Sequence, residues 1–276
     1  MASSSPSGRW HPRIVVNGAS TINLPLAGDL ALYAELGVER VALLSRKVDA
    51  AGEDEALRLV RDARVTVDSL MVGPLLELAR PAQWEEGRAA LRRMLARAQR
   101  FGGSCVVITS GAAGELTWED AADAFATALE PVVREARAAG VTIAVENTNG
   151  LRFDLGFLHN LRDTIDVARR IGLGVCMEVN NTWGERGLRE TFRTGVEHIR
   201  MVQVNDFVVP TTSTPDRAVP GDGDIPLARI FGDLEAAGYQ GPYEIEIVGP
   251  RIEAEGYPSA LRRSLEHIDG LLRGLT

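Results

Sequence analysis

The sequence predicts a single α/β domain folded as a closed (β/α)8 barrel. Short β-branched runs alternate with longer amphipathic segments almost to the end of the chain, and eight such runs can be counted. No linker or change of composition interrupts them, and 276 residues is a suitable length for one barrel. The barrel is expected to span residues 13–276, after a flexible N-terminal arm at residues 1–12.

The eight predicted strands are short runs rich in β-branched residues, separated by segments with apolar residues at helical spacing. They are residues 13–17, 40–44, 65–71, 105–109, 142–146, 174–178, 201–205 and 243–248. The clearest helix carries an apolar stripe from Trp118 to Ala136. Thr117 and Asp120 resemble a capping box at its start, and Gly140 is expected to end it.

A doubly wound open sheet is the main alternative architecture. Such sheets usually carry a glycine-rich phosphate loop after the first strand, and residues 15–20 contain no G-x-G-x-x-G pattern. One long loop, between about residues 207 and 225, is rich in Thr, Pro, Gly and Asp. Loops of that length in compact domains are usually functional, so a role in a binding site is expected.

Composition restricts the class of partner. The chain has 30 Lys and Arg against 38 Asp and Glu, a formal net charge of −8, which argues against nucleic acid as the main ligand. No apolar stretch approaches the length of a membrane span. Cys105 and Cys176 lie in apolar runs and are expected to be core residues in a reducing compartment. We therefore expect a cytoplasmic protein with a small-molecule partner, and homo-oligomerisation is left open.

Oxygen-bearing side chains end four consecutive predicted strands. Glu146 ends the fifth strand, Glu178 ends the sixth and Gln203 lies in the seventh. In the eighth, two-residue alternation places Glu244 and Glu246 on one face. Because active sites of barrels lie at the carboxyl ends of the strands, these side chains are expected to converge there.

Converging carboxylates need a compensating positive charge. Buried carboxylates are costly unless paired or bound to a metal, and these strands carry no Lys or Arg. The carboxylates of Glu146, Glu178 and Glu246 with the amide oxygen of Gln203 form a hard, all-oxygen set, which favours Mg²⁺ or Mn²⁺ over Zn²⁺. The alternative is that each glutamate caps its strand and accepts hydrogen bonds from loop amides.

Three segments in the second half of the chain resemble a known family. Residues 202–206 read VQVND, residues 215–225 read PDRAVPGDGDI and residues 238–246 read GYQGPYEIE. They are similar to the xylose isomerase-like TIM-barrel superfamily of sugar isomerases and epimerases, and most similar to hydroxypyruvate isomerase. Two departures stand out: Glu178 replaces the usual Asp, and Asn181 replaces the His that often follows it. Many relatives also have His where Gln203 stands.

The resemblance implies a role for each matching residue. It assigns metal ligation to Glu146, Glu178, Gln203 and Glu246, and substrate contact to Arg217. It also implies that Glu146 and Glu246 form the acid–base pair, which moves a proton through a metal-bound cis-enediolate.

Four further residues are candidates near the site. Asn181, Trp183 and His159 follow predicted strands and are expected to contact substrate, although Trp183 could instead pack as a loop aromatic. Asp206 is expected to orient Gln203 or Arg217 from behind.

The sequence thus predicts a divalent metal-dependent isomerase or epimerase of a keto or aldo sugar, or of a related hydroxy-carbonyl compound. Two alternatives remain open: a lyase or dehydratase of a keto-sugar or inosose with the same metal site, and a catalytically degenerate sugar-binding subunit. An apurinic endonuclease of the superfamily is disfavoured. Its zinc site needs several histidines, and none of the four here lies at a matching strand end.

Overall fold

The computed structural model describes residues 9–275 and confirms the closed parallel barrel. The strands are β1 (Ile14–Asn17), β2 (Arg40–Leu44), β3 (Thr66–Met71), β4 (Cys105–Thr109), β5 (Thr142–Glu146), β6 (Gly174–Glu178), β7 (Ile199–Val204) and β8 (Tyr243–Ile245). Each strand pairs with the next, and β8 pairs with β1 to close the ring. Strand β8 ends at Ile245, three residues before the predicted end, so Glu246 lies just beyond the strand.

Helices follow the strands around the outside of the barrel. They are α1 (Leu26–Leu36), α2 (Ser45–Ala51), α3 (Glu53–Ala63), α4 (Trp84–Phe101), α5 (Trp118–Ala138), α6 (Leu161–Ile171), α7 (Val179–Thr182), α8 (Leu188–Gly195), α9 (Leu227–Ala236), α10 (Pro250–Glu255) and α11 (Tyr257–Leu275). Short 3₁₀ turns occupy Gly18–Thr21, Pro81–Gln83 and Val196–His198. Within residues 9–275, no helix is both long and apolar enough to cross a membrane.

Helix α5 begins and ends at the predicted signals. The Thr117 hydroxyl accepts a hydrogen bond from the backbone N–H of Asp120 at 3.2 Å and donates to the Asp120 carboxylate at 2.8 Å. At the other end, Gly140 has φ of +70°, a left-handed conformation that glycine adopts without a steric penalty. The chain can therefore turn directly from α5 into β5.

Two apolar layers hold the barrel together. The larger lies between the strands and the surrounding helices, and the smaller fills the barrel interior. The interior layer contains both cysteines together with Val107, Ala144 and Met201. Burial raises the pKa of the Cys105 thiol to about 12, so it stays protonated and unreactive as predicted for a core residue.

Residues that precede β1 pack against the end of the barrel. The indole Nε1 of Trp10 donates to the carbonyl of Leu36 at 2.8 Å, and the backbone N–H of His11 donates to Asp269 at 2.6 Å. The remainder of the predicted N-terminal arm, residues 1–8, lies outside the described residues.

A buried ion pair joins α1 to α2. Lys47, the only lysine in the chain, is 5% exposed, and its ammonium donates to both oxygens of Asp29, at 2.8 and 2.7 Å. It also donates to the carbonyl of Thr21, whose hydroxyl donates to Asp29 at 2.6 Å. Burial raises the pKa of Asp29 to about 6 despite the ammonium beside it, which shows how costly an unpaired carboxylate would be here.

We predict that Lys47→Met lowers the free energy of unfolding by about 3 kcal/mol or more, because it leaves the Asp29 carboxylate buried without a cation. Urea unfolding followed by circular dichroism measures the loss. The exposed pair of Arg58 and Glu55 is the control, and Arg58→Met should leave the free energy of unfolding almost unchanged. The double variant Asp29→Leu/Lys47→Met should recover much of the loss, and a double variant no more stable than Lys47→Met would contradict this account.

Candidate active site

A cavity of about 610 Å³ opens at the carboxyl ends of the strands. Side chains from strand ends and the following loops line it: Ala19, Ile22, Leu44, Ser45, Arg46, Asp49, Met71, Val72, Thr109, Glu146, Thr148, Asn149, Arg152, Leu155, Asn181, Thr214, Pro215, Arg217, Glu246 and Val248, with Gly73. This volume falls in the range of small-molecule sites, and its position is where barrel enzymes bind substrates.

Glu146 and Glu246 face this cavity as two carboxylates without hydrogen-bond donors. Glu146 ends β5 and Glu246 follows β8, and no donor within residues 9–275 reaches either carboxylate. Burial raises the pKa of Glu146 to about 8, and the charge of Glu178 adds to the effect. Burial also raises the pKa of Glu246 well above its usual range, with repulsion from Glu146 contributing. Raised, mutually repelling carboxyls of this kind suit proton transfer near neutral pH.

Glu178, in contrast, has three partners within the protein. Its side chain is inaccessible to solvent, and one carboxylate oxygen lies 3.3 Å from the guanidinium of Arg217 and accepts from the amide of Asn205. The other oxygen accepts from the backbone N–H of Asn181 at 2.9 Å. The Lys- and Arg-free strands suggested that a metal must neutralise the carboxylates, but a protein cation reaches Glu178 from the long loop.

Arg217, for which the resemblance implies substrate contact, lines the cavity. The residue is only 7% exposed, and its Nε is buried without a partner. Its positive charge also lowers the pKa of Glu146 and of Glu246, in opposition to burial. The backbone N–H of Arg217 donates to the carbonyl of Val248 at 3.0 Å, which fixes the loop beside the end of β8.

Asp206 holds that loop in place. Its carboxylate accepts hydrogen bonds from the backbone N–H groups of Phe207, Gly221 and Ile225, at 2.9, 2.9 and 3.0 Å. The backbone of Asp206 also pairs with that of Ala218, next to Arg217. We expected Asp206 to orient Gln203 or Arg217, but its carboxylate hydrogen-bonds to neither and acts on Arg217 only through the loop backbone.

Gln203 is buried in the barrel interior and does not line the cavity. Its amide nitrogen donates to Glu244 at 3.1 Å, while its amide oxygen is buried without a partner. Glu244 also accepts from the side chains of Asn17 at 2.6 Å and Ser69 at 3.4 Å. Because the carboxylate of Glu244 binds the N–H₂ end of the amide, the oxygen end is left free for another ligand.

The remaining predicted residues divide into two groups. Asn181 lines the cavity, and its amide donates to the carbonyl of Asn147 at 2.8 Å. Trp183 and His159 do not line the cavity. Trp183 packs against the outer apolar layer, and the ring of His159 lies 4.4 Å from that of Phe153, so the alternative interpretation of Trp183 as a packed loop aromatic fits better.

The sequence did not indicate a role at the site for three residues. Thr109 lines the cavity, and Asn17 and Glu244 belong to the hydrogen-bonded group around Gln203. Thr109 ends β4 beside Glu146 and lines the cavity with a buried hydroxyl that has no partner. Its position at a strand end was the available signal. Glu244 was recognised as facing the same way as Glu246, but its contact with Gln203 depends on the strand register.

Within residues 9–275, no three Asp, Glu, His or Cys side chains form a ready-made metal-binding group. The oxygens that lack an internal donor, those of Glu146 and Glu246 and the amide oxygen of Gln203, are nevertheless of the type that hard divalent cations prefer. Glu178 keeps unused lone pairs but already has Arg217 beside it.

We predict that Arg217→Met lowers the free energy of unfolding by about 3 kcal/mol in the presence of a chelator, since Glu178 loses its counterion while buried. Chemical unfolding measures the change. Arg251→Met is the matched control. Arg251 lies on α10 and pairs with Asp216, the loop residue next to Arg217, but its side chain is about half exposed. A change as small as that of Arg251→Met would show that Glu178 does not depend on the guanidinium.

Comparison with known proteins agrees with this architecture. The structure is similar to that of protein SMc04130 from Sinorhizobium meliloti 1021, with a TM-score of 0.85 and 24% identity over 94% of this chain and 98% of that one. It is also similar to an IolI protein with a bound zinc atom, with a TM-score of 0.80 and 15% identity over 96% and 99% of the two chains.

A third similar structure is D-psicose 3-epimerase with D-tagatose from Clostridium cellulolyticum H10 (TM-score 0.76, 15% identity, 95% and 99% of the two chains). The chain matches none of the curated proteins. The family model for the xylose isomerase-like TIM barrel matches residues 30–270. The chain belongs to the xylose isomerase-like TIM-barrel family.

Proposed function

We propose that this protein is a divalent metal-dependent isomerase or epimerase that acts on a keto or aldo sugar, or on a related hydroxy-carbonyl compound. The observation that carries the proposal is the pair of cavity-facing carboxyls, Glu146 and Glu246, with raised pKa values and without internal hydrogen-bond donors. The family includes sugar isomerases and epimerases, which supports this class of enzyme.

The cation would be held by the oxygens of Glu146, Glu178, Gln203 and Glu246. The free amide oxygen of Gln203 and the unpartnered carboxylates of Glu146 and Glu246 support this assignment. When bound, the cation supplies positive charge beside the substrate carbonyl and so makes the neighbouring C–H more acidic. An all-oxygen set favours Mn²⁺ or Mg²⁺, although the similar IolI structure holds zinc.

The proton is moved by the two carboxyls. One of Glu146 and Glu246, ionised, takes the proton from the carbon next to the carbonyl, and the other, protonated, returns a proton to a carbon of the substrate. Return to the former carbonyl carbon isomerises the substrate, provided that the proton of the neighbouring hydroxyl moves to the former carbonyl oxygen. Return to the opposite face of the same carbon epimerises it. Burial raises the pKa of both groups, which opposes the lowering that a bound cation would cause and keeps each carboxylate basic enough to take a proton.

Arg217 and Thr109 would orient the substrate. The Nε of Arg217 and the hydroxyl of Thr109 are buried polar groups without partners, and both residues line the cavity. Each could form a hydrogen bond to a substrate oxygen, which would remove the cost of leaving it unsatisfied. The cytoplasm remains the expected compartment, because both buried cysteines are free.

The test is exchange of substrate protons with solvent deuterium, followed by NMR on a panel of keto and aldo sugars and hydroxy-ketones with Mn²⁺ present. We expect Glu146→Gln and Glu246→Gln each to reduce exchange by about 10²-fold or more. Glu185→Gln is the control, because burial raises the pKa of Glu185 to about 7 but Glu185 does not line the cavity. Exchange that survives both site substitutions would exclude the acid–base pair.

The products then separate the alternatives. An isomer or epimer supports the proposal, whereas an unsaturated carbonyl product identifies a lyase or dehydratase that uses the same residues. Tight ligand binding with no turnover of any compound would instead indicate a sugar-binding subunit.

The orientation of Gln203 gives a separate prediction. Glu244→Gln removes the carboxylate that selects the N–H₂ end of the Gln203 amide, so the amide oxygen is no longer directed to the cation. We expect Mn²⁺ affinity, measured by calorimetric titration, to fall about 10-fold or more. Ser69→Ala removes only the 3.4 Å contact to Glu244 and should leave the affinity almost unchanged. Equal Mn²⁺ affinities for wild type and Glu244→Gln would refute the role of Glu244.

A further inference from the structure

The cavity has two chemically different sides. Polar atoms of the lining that lack a partner within residues 9–275 include the hydroxyl of Thr109, the carboxylates of Glu146 and Glu246, and the Nε of Arg217. They belong to β4, β5, the residue after β8 and the long loop. The opposite side, formed by the ends of β1 to β3 and the residues after them, is lined by aliphatic side chains: Ala19, Ile22, Leu44, Met71 and Val72. Since eight strands close the ring in sequence order, β2 lies across the barrel from β6.

Most polar residues on the aliphatic side already have partners. The guanidinium of Arg97 donates to the hydroxyl of Ser45 at 2.8 Å and lies 2.7 Å from the carboxylate of Asp49. Arg46 is exposed and donates to the carbonyl of Ile22 at 3.1 Å. On this side the hydroxyl of Ser45 and the carboxylate of Asp49 are thus engaged by Arg97, whereas the exposed guanidinium of Arg46 keeps N–H groups that have no acceptor within residues 9–275.

The loop after β5 extends the aliphatic surface. Leu155 lines the cavity, and the neighbouring Arg152 is held by Asp154 through two hydrogen bonds of 2.8 and 2.7 Å. Among the residues that the structure describes, no aromatic side chain lines the cavity, so these residues offer a sugar ring no flat face on which to stack. A polyhydroxylated substrate that filled the cavity would press hydroxyls against Leu44, Met71 and Val72 without partners, which is unfavourable.

We infer that the natural substrate is a hydroxy-carbonyl compound with an apolar substituent: its hydroxy-carbonyl end lies at Glu146 and Glu246, and its substituent packs against the aliphatic side. This inference rests on the proposed function, because it places the reacting end of the substrate at that acid–base pair. It narrows the substrate class from free polyhydroxylated sugars to molecules in which one part is polar and the other is not.

A matched series of ligands tests the substituent. The series consists of 1-hydroxybutan-2-one, 1-hydroxypentan-2-one and 1-hydroxyhexan-2-one, which share one hydroxy-ketone group and differ by single methylenes. Erythrulose has the same four-carbon skeleton as 1-hydroxybutan-2-one and carries two additional hydroxyls. We expect the dissociation constant, measured by calorimetry with and without Mn²⁺, to fall about three- to fourfold for each added methylene. Erythrulose should bind more weakly than 1-hydroxybutan-2-one.

Two cavity variants and one control locate the effect. Val72→Thr keeps the shape of the side chain and Leu155→Asn keeps its approximate size. Each should reduce the gain in affinity per methylene and should also reduce the disadvantage of erythrulose, because the new polar group offers its hydroxyls a hydrogen-bond partner. Leu57→Asn, on α3 and away from the cavity, should alter neither.

The outcomes distinguish this inference from the proposed function. Three results would overturn the inference of an apolar substituent. Erythrulose could bind as tightly as the aliphatic ketones, the dissociation constant could stay the same along the series, or Val72→Thr and Leu155→Asn could leave its trend unchanged. Absence of binding by the whole series would also overturn it. The proposed function is judged independently, by Mn²⁺ affinity and by deuterium exchange with the sugar panel.

Discussion

The carboxylate of Glu178 and the guanidinium that reaches it form the contact around which the carboxyl end of the barrel is arranged. Glu178 is inaccessible to solvent, so its charge must be compensated within the protein, and Arg217 comes from a loop rather than from a strand. The loop is in turn fixed by the backbone hydrogen bonds that Asp206 accepts. The need to compensate the charge of Glu178 thus connects the conformation of the long loop to the shape of the cavity. Because Arg217 pairs with Glu178, the carboxylates of Glu146 and Glu246 are left without an internal hydrogen-bond donor within residues 9–275.

The two halves of the barrel present different kinds of side chain at the carboxyl ends of their strands. Strands β2 and β3 end in the aliphatic side chains of Leu44 and Met71. Strands β5 to β7, in contrast, end in or carry carboxylates and amides, and Glu246 directly follows β8. Below the cavity, the interior is apolar around Cys105 and Cys176. Burial at this end of the barrel raises the pKa of Glu146 and of Glu246.

Much of this arrangement could be predicted from the sequence because it is local. Strand alternation and strand ends predicted the barrel and identified Glu146 and Glu246, and the loop motif identified Arg217. Proximity along the chain did not show which way a side chain turns after a strand, which is why Trp183 and His159 were expected in the cavity that they do not line. The pairing of Gln203 with Glu244, and of Arg217 with Glu178, depends on contacts between distant segments that spacing alone cannot give.

The ion pair of Lys47 has a practical consequence. Of the 30 basic residues, Lys47 is the only lysine, and burial lowers the pKa of its amine even though Asp29 holds it. The folded surface formed by residues 9–275 therefore carries no lysine amine for acylating reagents, biotin esters or cross-linkers. Lys47 can be acylated only when α1 and α2 separate. The rate of amine labelling at Lys47, followed by mass analysis of its peptide, would therefore report how often this part of the barrel opens.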